Sequence, residues 1–312
     1  MLPEVEEVTS TGKGFGPDWL SDKISAGELV IIDGPMGTEL EARDVPMNAR
    51  AWSATALLSH PDAVRAAHAD NIDAGAEVIT TNTFATGQQL LDSAGLGDQM
   101  ERLNTRAVEI ARQARDESGN PDIAIAGSMS PWVVAGSSPS RARLADEFRK
   151  QAELLASAGV DLIALEMCSH PDYSRLIADA AVATGLPVWL GLSCKQDEDT
   201  GEIVGFEEPH ADFRQLILEL ADCGASVITI MHSSVDDTTM GLSLLREIWD
   251  GPVGAYPESG YFVMPNWQFV DIIEPAELVR RAQAWVDDGV QILGGCCGLG
   301  VQHIRALKTA FG

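Results

Sequence analysis

Eight short apolar, β-branched runs punctuate the chain: LVIID (29–33), EVITTN (77–82), IAIAGS (123–128), DLIALE (161–166), PVWLGLS (187–193), SVITIMH (226–232), PVGAYP (252–257) and VQILGG (290–295). Continuous apolar runs of this length suit strands buried on both faces, as in a parallel sheet. The segments between them carry helical spacing. PDAVRAAHADNIDAG has Pro61 and Asp62 in its first turn and stops at Gly75, and SRARLADEFRKQAELLASAG opens at Ser140 and stops at Gly159. PHADFRQLILELADCG and EPAELVRRAQAWVDDG end the same way, at Gly224 and Gly289. A Pro, Ser or acid at the start and a Gly at the end is ordinary helix punctuation. Eight strands alternating with helices over 312 residues predict an α/β fold, a single-domain (β/α)8 TIM barrel. A doubly wound sheet is the fallback, but the first strand is not followed by the Gly-rich dinucleotide fingerprint that fold usually shows.

The barrel is expected over residues 21–312, with residues 1–20 as an N-terminal extension. MLPEVEEVTSTGKGF carries acid and no apolar run, which is not the pattern of a signal peptide. No stretch approaches the roughly 20 apolar residues of a membrane helix, so a cytoplasmic location is expected. A formal net charge of −26 repels phosphate backbones and acidic lipids, which argues against nucleic-acid and membrane partners. Five cysteines, an odd number in such a chain, do not read as a disulfide framework.

Chemistry on a barrel sits at the C-terminal ends of the strands. Read in order, those ends carry Asp33, Thr81 with Asn82, Ser128, Glu166, Ser193, His232, Tyr256, and Cys296 with Cys297. The last pair lies in GGCCG (294–298). Adjacent cysteines bridge each other badly, whereas the flanking glycines allow a turn that aims both sulfurs at one point. Two thiolates need a cation, and a tetrahedral zinc with one position open for substrate needs a third protein ligand. His232, at the end of the sixth strand, is the best-placed third ligand, with Cys168 as its rival. Cys223 reads as packing, Cys194, just after the fifth strand, could face either way, and His60, His68, His210 and His303 read as surface or capping residues near or on helices.

DGPMGTEL (33–40), TNTF (81–84), DLIALEM (161–167), YPESG (256–260) and GGCCG (294–298) together resemble, in that order, the homocysteine S-methyltransferase family over nearly the whole chain. The resemblance implies zinc-dependent methyl transfer to a thiol on a (β/α)8 barrel, with the zinc held by three cysteines and the homocysteine sulfur as fourth ligand. Cys296 and Cys297 match two of those cysteines, and His232, in GASVITIMH, stands where the third is usual. Asp33 and Glu166 match acids that hold the amino-acid end of homocysteine, and the turn at Gly34 brings backbone amides near its carboxylate. The implied substrate-binding set is Asp33, Gly34, Thr38, Thr81, Asn82, Glu166, Ser193 and Tyr256; the implied metal set is His232, Cys296 and Cys297, with Zn2+ as cofactor. The partners expected are a small-molecule thiol and an activated methyl donor of sulfonium or betaine type. Trp132, Tyr261 and Trp267 are candidates for a cation–π surface, and the long aromatic stretch YPESGYFVMPNW is expected to cover the site. The alternatives are a methyltransferase subunit served by a separate corrinoid or folate protein, and a non-catalytic metal- or ligand-binding barrel. Pairing of helix faces into a homo-oligomer is left open.

Overall fold

The computed structural model describes residues 14–134, 137, 139–207, 210–263 and 268–312. Eight strands form one parallel sheet: β1 (Val30–Ile31), β2 (Val78–Thr80), β3 (Ala124–Met129), β4 (Leu162–Cys168), β5 (Val188–Leu192), β6 (Val227–Ser234), β7 (Val253–Glu258) and β8 (Ile292–Leu293). Each pairs with its neighbour in chain order, and β8 pairs with β1. A bridge between Ile32 and Val78, with the Asp33 amide donating to the Val78 carbonyl, joins β1 to β2 and closes the cylinder. Each strand begins within its apolar run, and β3, β4, β6 and β7 extend one or two residues past it, so the expected (β/α)8 barrel is the fold observed.

One long helix follows each strand: Pro61–Ala74, Met100–Ser118, Arg141–Ala158, Pro171–Val182, Phe213–Leu220, Val235–Arg246, Pro275–Asp287 and Val301–Phe311. Their ends follow local chemistry. Ser140 accepts a hydrogen bond from the Arg143 amide at the start of its helix, and Gly159 ends that helix at φ 89°, a left-handed conformation that favours glycine. Among the described residues no helix is long and apolar enough to cross a membrane.

Two cores follow from the two-residue period of the strands. Ile31, Ile79, Ile125, Ile163, Leu190, Ile228 and Val253 face outward into the layer shared with the helices. Their alternates, including Val30, Val78, Ala124, Leu162, Trp189, Val227 and Ile292, fill the barrel interior. The interior is therefore packed, and open space is left at the C-terminal end.

The opposite end is stoppered by the chain before β1. The helix Asp18–Ser25 runs across the 20/21 position at which the sequence places the edge of the barrel, and its Leu20 and Ile24 are buried in the interior core. The Trp189 indole N–H donates to the Phe15 carbonyl at 2.8 Å, tying this segment to β5. Leu20 is fully buried. Leu20→Ala should therefore destabilise the protein by about 2–5 kcal/mol through lost burial and a residual cavity. Urea unfolding monitored by tryptophan fluorescence checks this; a loss below about 1 kcal/mol would mean that the stopper is a loosely attached tail.

Candidate metal and substrate site

At the C-terminal end of the barrel lies a cavity of about 730 Å³ whose walls include Asp33, Gly34, Thr81, Asn82, Ser128, Glu166, His232, Tyr256, Cys296 and Cys297. Residues from all parts of the sequence thus meet on one rim. Thr38 and Ser193 do not line it. The Thr38 hydroxyl accepts a hydrogen bond from the Gly298 amide at 3.5 Å, bracing the cysteine turn from behind. Ser193 is fully buried and donates to the Met231 sulfur at 3.2 Å, and it is the Met231 side chain that reaches the cavity.

The cysteine turn is fixed by its backbone. The Cys296 amide donates to the Pro257 carbonyl, the Ser259 amide to the Cys297 carbonyl and the Gly295 amide to the Asp33 carbonyl. Gly298 sits at φ 82°, and a Cβ on Gly295 would collide with the Leu299 carbonyl. GGCCG is glycine-rich because the turn demands it.

His232 reaches the cavity by an irregularity. The β6–β7 register shifts between Met231 and Ser234, and His232 lies in the shift at φ 44°. A regular strand places Val227, Thr229, Met231 and Ser233 on the inner face. The bulge instead turns His232 inward and leaves Ser233 beneath, donating to the Met231 carbonyl and accepting from the Cys194 amide. A matching shift in β4, with Met167 at φ 59°, exposes both Glu166 and Met167 to the cavity. The Met167 amide donates to the Met231 sulfur at 3.2 Å, joining the two bulges. Bulges that re-aim side chains are characteristic next to functional sites.

The ligand atoms of His232, Cys296 and Cys297 all lie within 4.8 Å of one another. His232 Nδ1 is 3.5 Å from Cys296 Sγ and 3.0 Å from Glu258 Oε2. Zinc–nitrogen and zinc–sulfur bonds of about 2.0 and 2.3 Å hold ligand atoms roughly 3.5–3.8 Å apart on a tetrahedron, so small side-chain adjustments bring the trio to a metal. Without a cation the ligand groups keep their protons. The neighbouring Cys297 and burial hold the Cys296 thiol well above its usual range, so a nearby cation is what would make it a thiolate. Burial opposes charging of His232, but Cys296, Glu258 and Glu166 outweigh it and raise its pKa to about 9. Cys168 stands apart from the trio: it is fully buried, and burial pushes its thiol far upward. Cys194, also buried, is pushed up to about 12, and Cys223 is likewise raised by burial.

Among the described residues no Lys or Arg is paired with Asp33 or Glu166, two carboxyl groups of the cavity wall. Asp33 accepts from the Thr80 amide at 2.7 Å and the Thr80 hydroxyl at 2.8 Å, yet burial raises its pKa to about 7, with Glu166 adding to the rise. Glu166 accepts from the Ser128 hydroxyl and is also raised by burial, against the pull of Ser128 and His232. A buried carboxylate is costly unless paired, so a positive charge brought into the cavity would offset the cost of ionising either group.

Farther out the wall is aromatic. Trp52 meets Phe84 edge-on at 6.1 Å between centroids, Phe84 lies 6.1 Å from Trp132, and Phe206 meets the His232 ring at 4.9 Å. Of the three aromatics singled out from sequence, Trp132 lines the cavity, while Tyr261 is 58% exposed and stands outside it. Trp267 falls outside the described residues. Trp52, Phe84, Phe206, Met231 and Glu258 are not among the residues expected from sequence because they lie in loops, within a strand, or one residue past an apolar run; YPESG was the available signal for Glu258. His68 and His303, expected at the surface or in caps, are fully buried instead. Burial lowers the His68 pKa to about 4, and His303 Nε2 lies 2.8 Å from the Ile273 carbonyl.

Comparison with known proteins places this architecture. The family model described as homocysteine S-methyltransferase matches residues 30–311. Homocysteine S-methyltransferase 3 of Zea mays is 29% identical over 91% of this chain and 90% of its own length. Betaine–homocysteine S-methyltransferase 1 of Mus musculus is 27% identical over 92% of this chain and 73% of its own. The metallated form of the homocysteine methyltransferase MmuM from Escherichia coli superposes with a TM-score of 0.77, covering 92% of this chain and 98% of that one at 24% identity.

Proposed function

The chain belongs to the homocysteine S-methyltransferase family, and from that premise we propose that this methyltransferase moves a methyl group from a small sulfonium or betaine-type donor to homocysteine, giving methionine. The observation that carries the reading is the clustering of His232, Cys296 and Cys297 in the same cavity that Asp33 and Glu166 line. Zinc held by the trio would supply the Lewis acidity that keeps an incoming thiol as thiolate at neutral pH.

The protein's own residues do the rest. Asp33 and Glu166 receive the substrate ammonium group, and the Gly34 turn with Thr81 and Asn82 lines the same wall for the substrate's polar end. Asn82 is itself held rigid, accepting from the Ser53 hydroxyl at 2.7 Å and donating to the Ser53 carbonyl at 3.0 Å. Trp52, Phe84 and Trp132 line the chamber, and their ring faces are the favourable surface for a cationic donor. In the transfer a sulfur–carbon bond forms as the donor's carbon–sulfonium or carbon–ammonium bond breaks, and the donor departs neutral. Excluding water from so apolar a chamber protects the activated methyl group and strengthens the charge interactions.

The test is direct. Zinc-loaded, reduced enzyme is incubated with homocysteine and, separately, S-methylmethionine, S-adenosylmethionine or glycine betaine, and methionine is followed by mass spectrometry. Methionine formation with at least one donor is the expected result. No turnover with any donor, but turnover on adding a methylated corrinoid or folate protein, would replace the small-donor reading. No turnover under either condition, with metal bound, would favour a binding barrel.

A further inference from the structure

The TNTF stretch (81–84) does more than line the cavity. Asn82 turns both ends of its side-chain amide to one residue, Ser53. Its oxygen accepts from the Ser53 hydroxyl at 2.7 Å, and its nitrogen donates to the Ser53 carbonyl at 3.0 Å. Phe84, on the same loop, meets the Trp52 ring edge-on. The loop after β2 therefore grips the Trp52–Ser53 pair at two points, one polar and one aromatic.

The residue it grips is strained. Trp52 has φ 43° and ψ −119°, close to the first central position of a type II′ turn, where glycine is usual. A large side chain persists in such a conformation only where its surroundings over-determine it, and such residues gather at functional sites. Here the surroundings do so. The Asn48 amide donates to the Trp52 carbonyl at 2.9 Å, and Asn82 holds the residue that follows. The indole lies so close to Gly37 that a Cβ there would come within 2.3 Å of it.

The grip is anchored from beneath. The Thr83 hydroxyl donates to the Ser128 carbonyl of β3, and the Thr83 carbonyl accepts from the Gln151 side chain at 3.1 Å. The Asn104 side chain donates to the Thr86 carbonyl at 3.2 Å. Thr83, Thr86, Asn104 and Gln151 are at most 1% exposed, so water does not compete for these bonds. The loop is thus tied to β3 and to the helices Met100–Ser118 and Arg141–Ala158, whereas Trp52 closes a short turn that begins at Asn48. The better-tied element sets the position of the other.

We propose that Asn82 is the positioning residue for Trp52, clamping the strained Trp52–Ser53 joint so that the indole stays in the wall offered to the methyl donor. The proposal rests on the small-donor reading given above. It gives Asn82 no contact with the reacting atoms.

Two measurements on the full chain test it, for wild type, Asn82→Ala, Ser53→Ala, Trp52→Ala and the Asn82→Ala, Trp52→Ala double variant. Hydrogen–deuterium exchange reads the clamp without turnover. Asn82→Ala loses both bonds to Ser53, so peptides covering residues 48–56 should exchange about 10-fold faster, and those covering the cysteine turn should not change. Steady-state kinetics, with a donor that wild type uses, read the consequence. In Asn82→Ala the donor KM should rise about 10-fold and the homocysteine KM by less than about 3-fold. In the Trp52→Ala background the same change should raise the donor KM by less than about 3-fold, because the residue being positioned is gone. Ser53→Ala keeps the carbonyl bond and should show smaller changes in the same direction. Unchanged exchange over 48–56 in Asn82→Ala would overturn the proposal. So would a donor effect equally large without Trp52, or one matched by homocysteine. If Asn82→Ala does not fold, Ser53→Ala decides, and unchanged exchange with unchanged donor KM in that variant overturns the clamp. Wild type that turns over no small donor overturns the functional reading instead, and the clamp then stands or falls on exchange alone.

Discussion

Replacing His232 by alanine or Cys297 by serine should empty the metal centre. Wild type purified under reducing conditions should hold about one zinc per chain, and each variant less than about one tenth of that after dialysis against a weak chelator. The magnitude follows from ligand number. Residues beside a ligand typically contribute 10- to 100-fold in metal affinity, and removal of a ligand should cost more than about 100-fold. Cys297 is 4% exposed, so the serine hydroxyl that replaces it is held in nearly the same place and differs mainly in being a poor zinc ligand. Cys168→Ser is the control. Its sulfur is buried outside the trio, and metal content should be unchanged. Circular dichroism should show all three variants folded, because none of the three substituted side chains belongs to the barrel's interior core. Zinc retained by His232→Ala but lost from Cys297→Ser would remove histidine from the set. Zinc lost from Cys168→Ser would restore the rival that the geometry sets aside.

Much of this architecture is legible in the chain because buried parallel strands leave a direct trace. Each apolar run holds the start of its barrel strand and most of its length, and glycine after a helical segment marks several helix ends. The strand-end rule then gathers Asp33, Glu166, His232 and the cysteine pair without reference to any contact. It cannot resolve register. A strict two-residue period turns Ser233 inward in β6, and only the slip between Met231 and Ser234 presents His232 to the cavity. That slip arises from pairing with β7, so no local preference announces it. Ser193 shows the opposite failure: it lies just past the end of β5 as a lining residue should, but Met231 from the neighbouring strand covers it. The aromatic wall escaped for a simpler reason. Trp52 and Phe206 come from loops, where sequence position carries little information about what a side chain faces.

Asp33→Asn should make the protein more stable and a poorer enzyme. The Asp33 carboxyl has its pKa raised from 3.8 to about 7, chiefly by burial. A raised acid pKa means that the folded state holds its proton more tightly than the unfolded chain. The associated stability is fully present below about pH 4 and is lost as pH rises to about 7, at about 1.4 kcal/mol per pH unit. At pH 8 the folded protein bears the whole cost of a buried carboxylate, on the order of 4 kcal/mol. Asparagine never ionises, and it can keep an acceptor for the Thr80 amide while donating to the Thr80 hydroxyl. The variant should therefore unfold at higher urea than wild type at pH 8, and the difference should shrink towards pH 5. Glu166, also raised by burial, titrates in both proteins and largely cancels in the comparison. In the substrate pose proposed above, homocysteine alters the balance, because its ammonium group would compensate an ionised Asp33 and could not do so for an amide. The KM for homocysteine should accordingly rise by about 10-fold or more, the usual scale for losing a charge-assisted hydrogen bond. A stability difference that stays constant between pH 5 and pH 8 would show that Asp33 is ionised throughout, and the cavity would then have to stabilise that charge even without a substrate. Stability gained and affinity lost together would identify Asp33 as a group kept at a cost to the fold for the positive charge it receives.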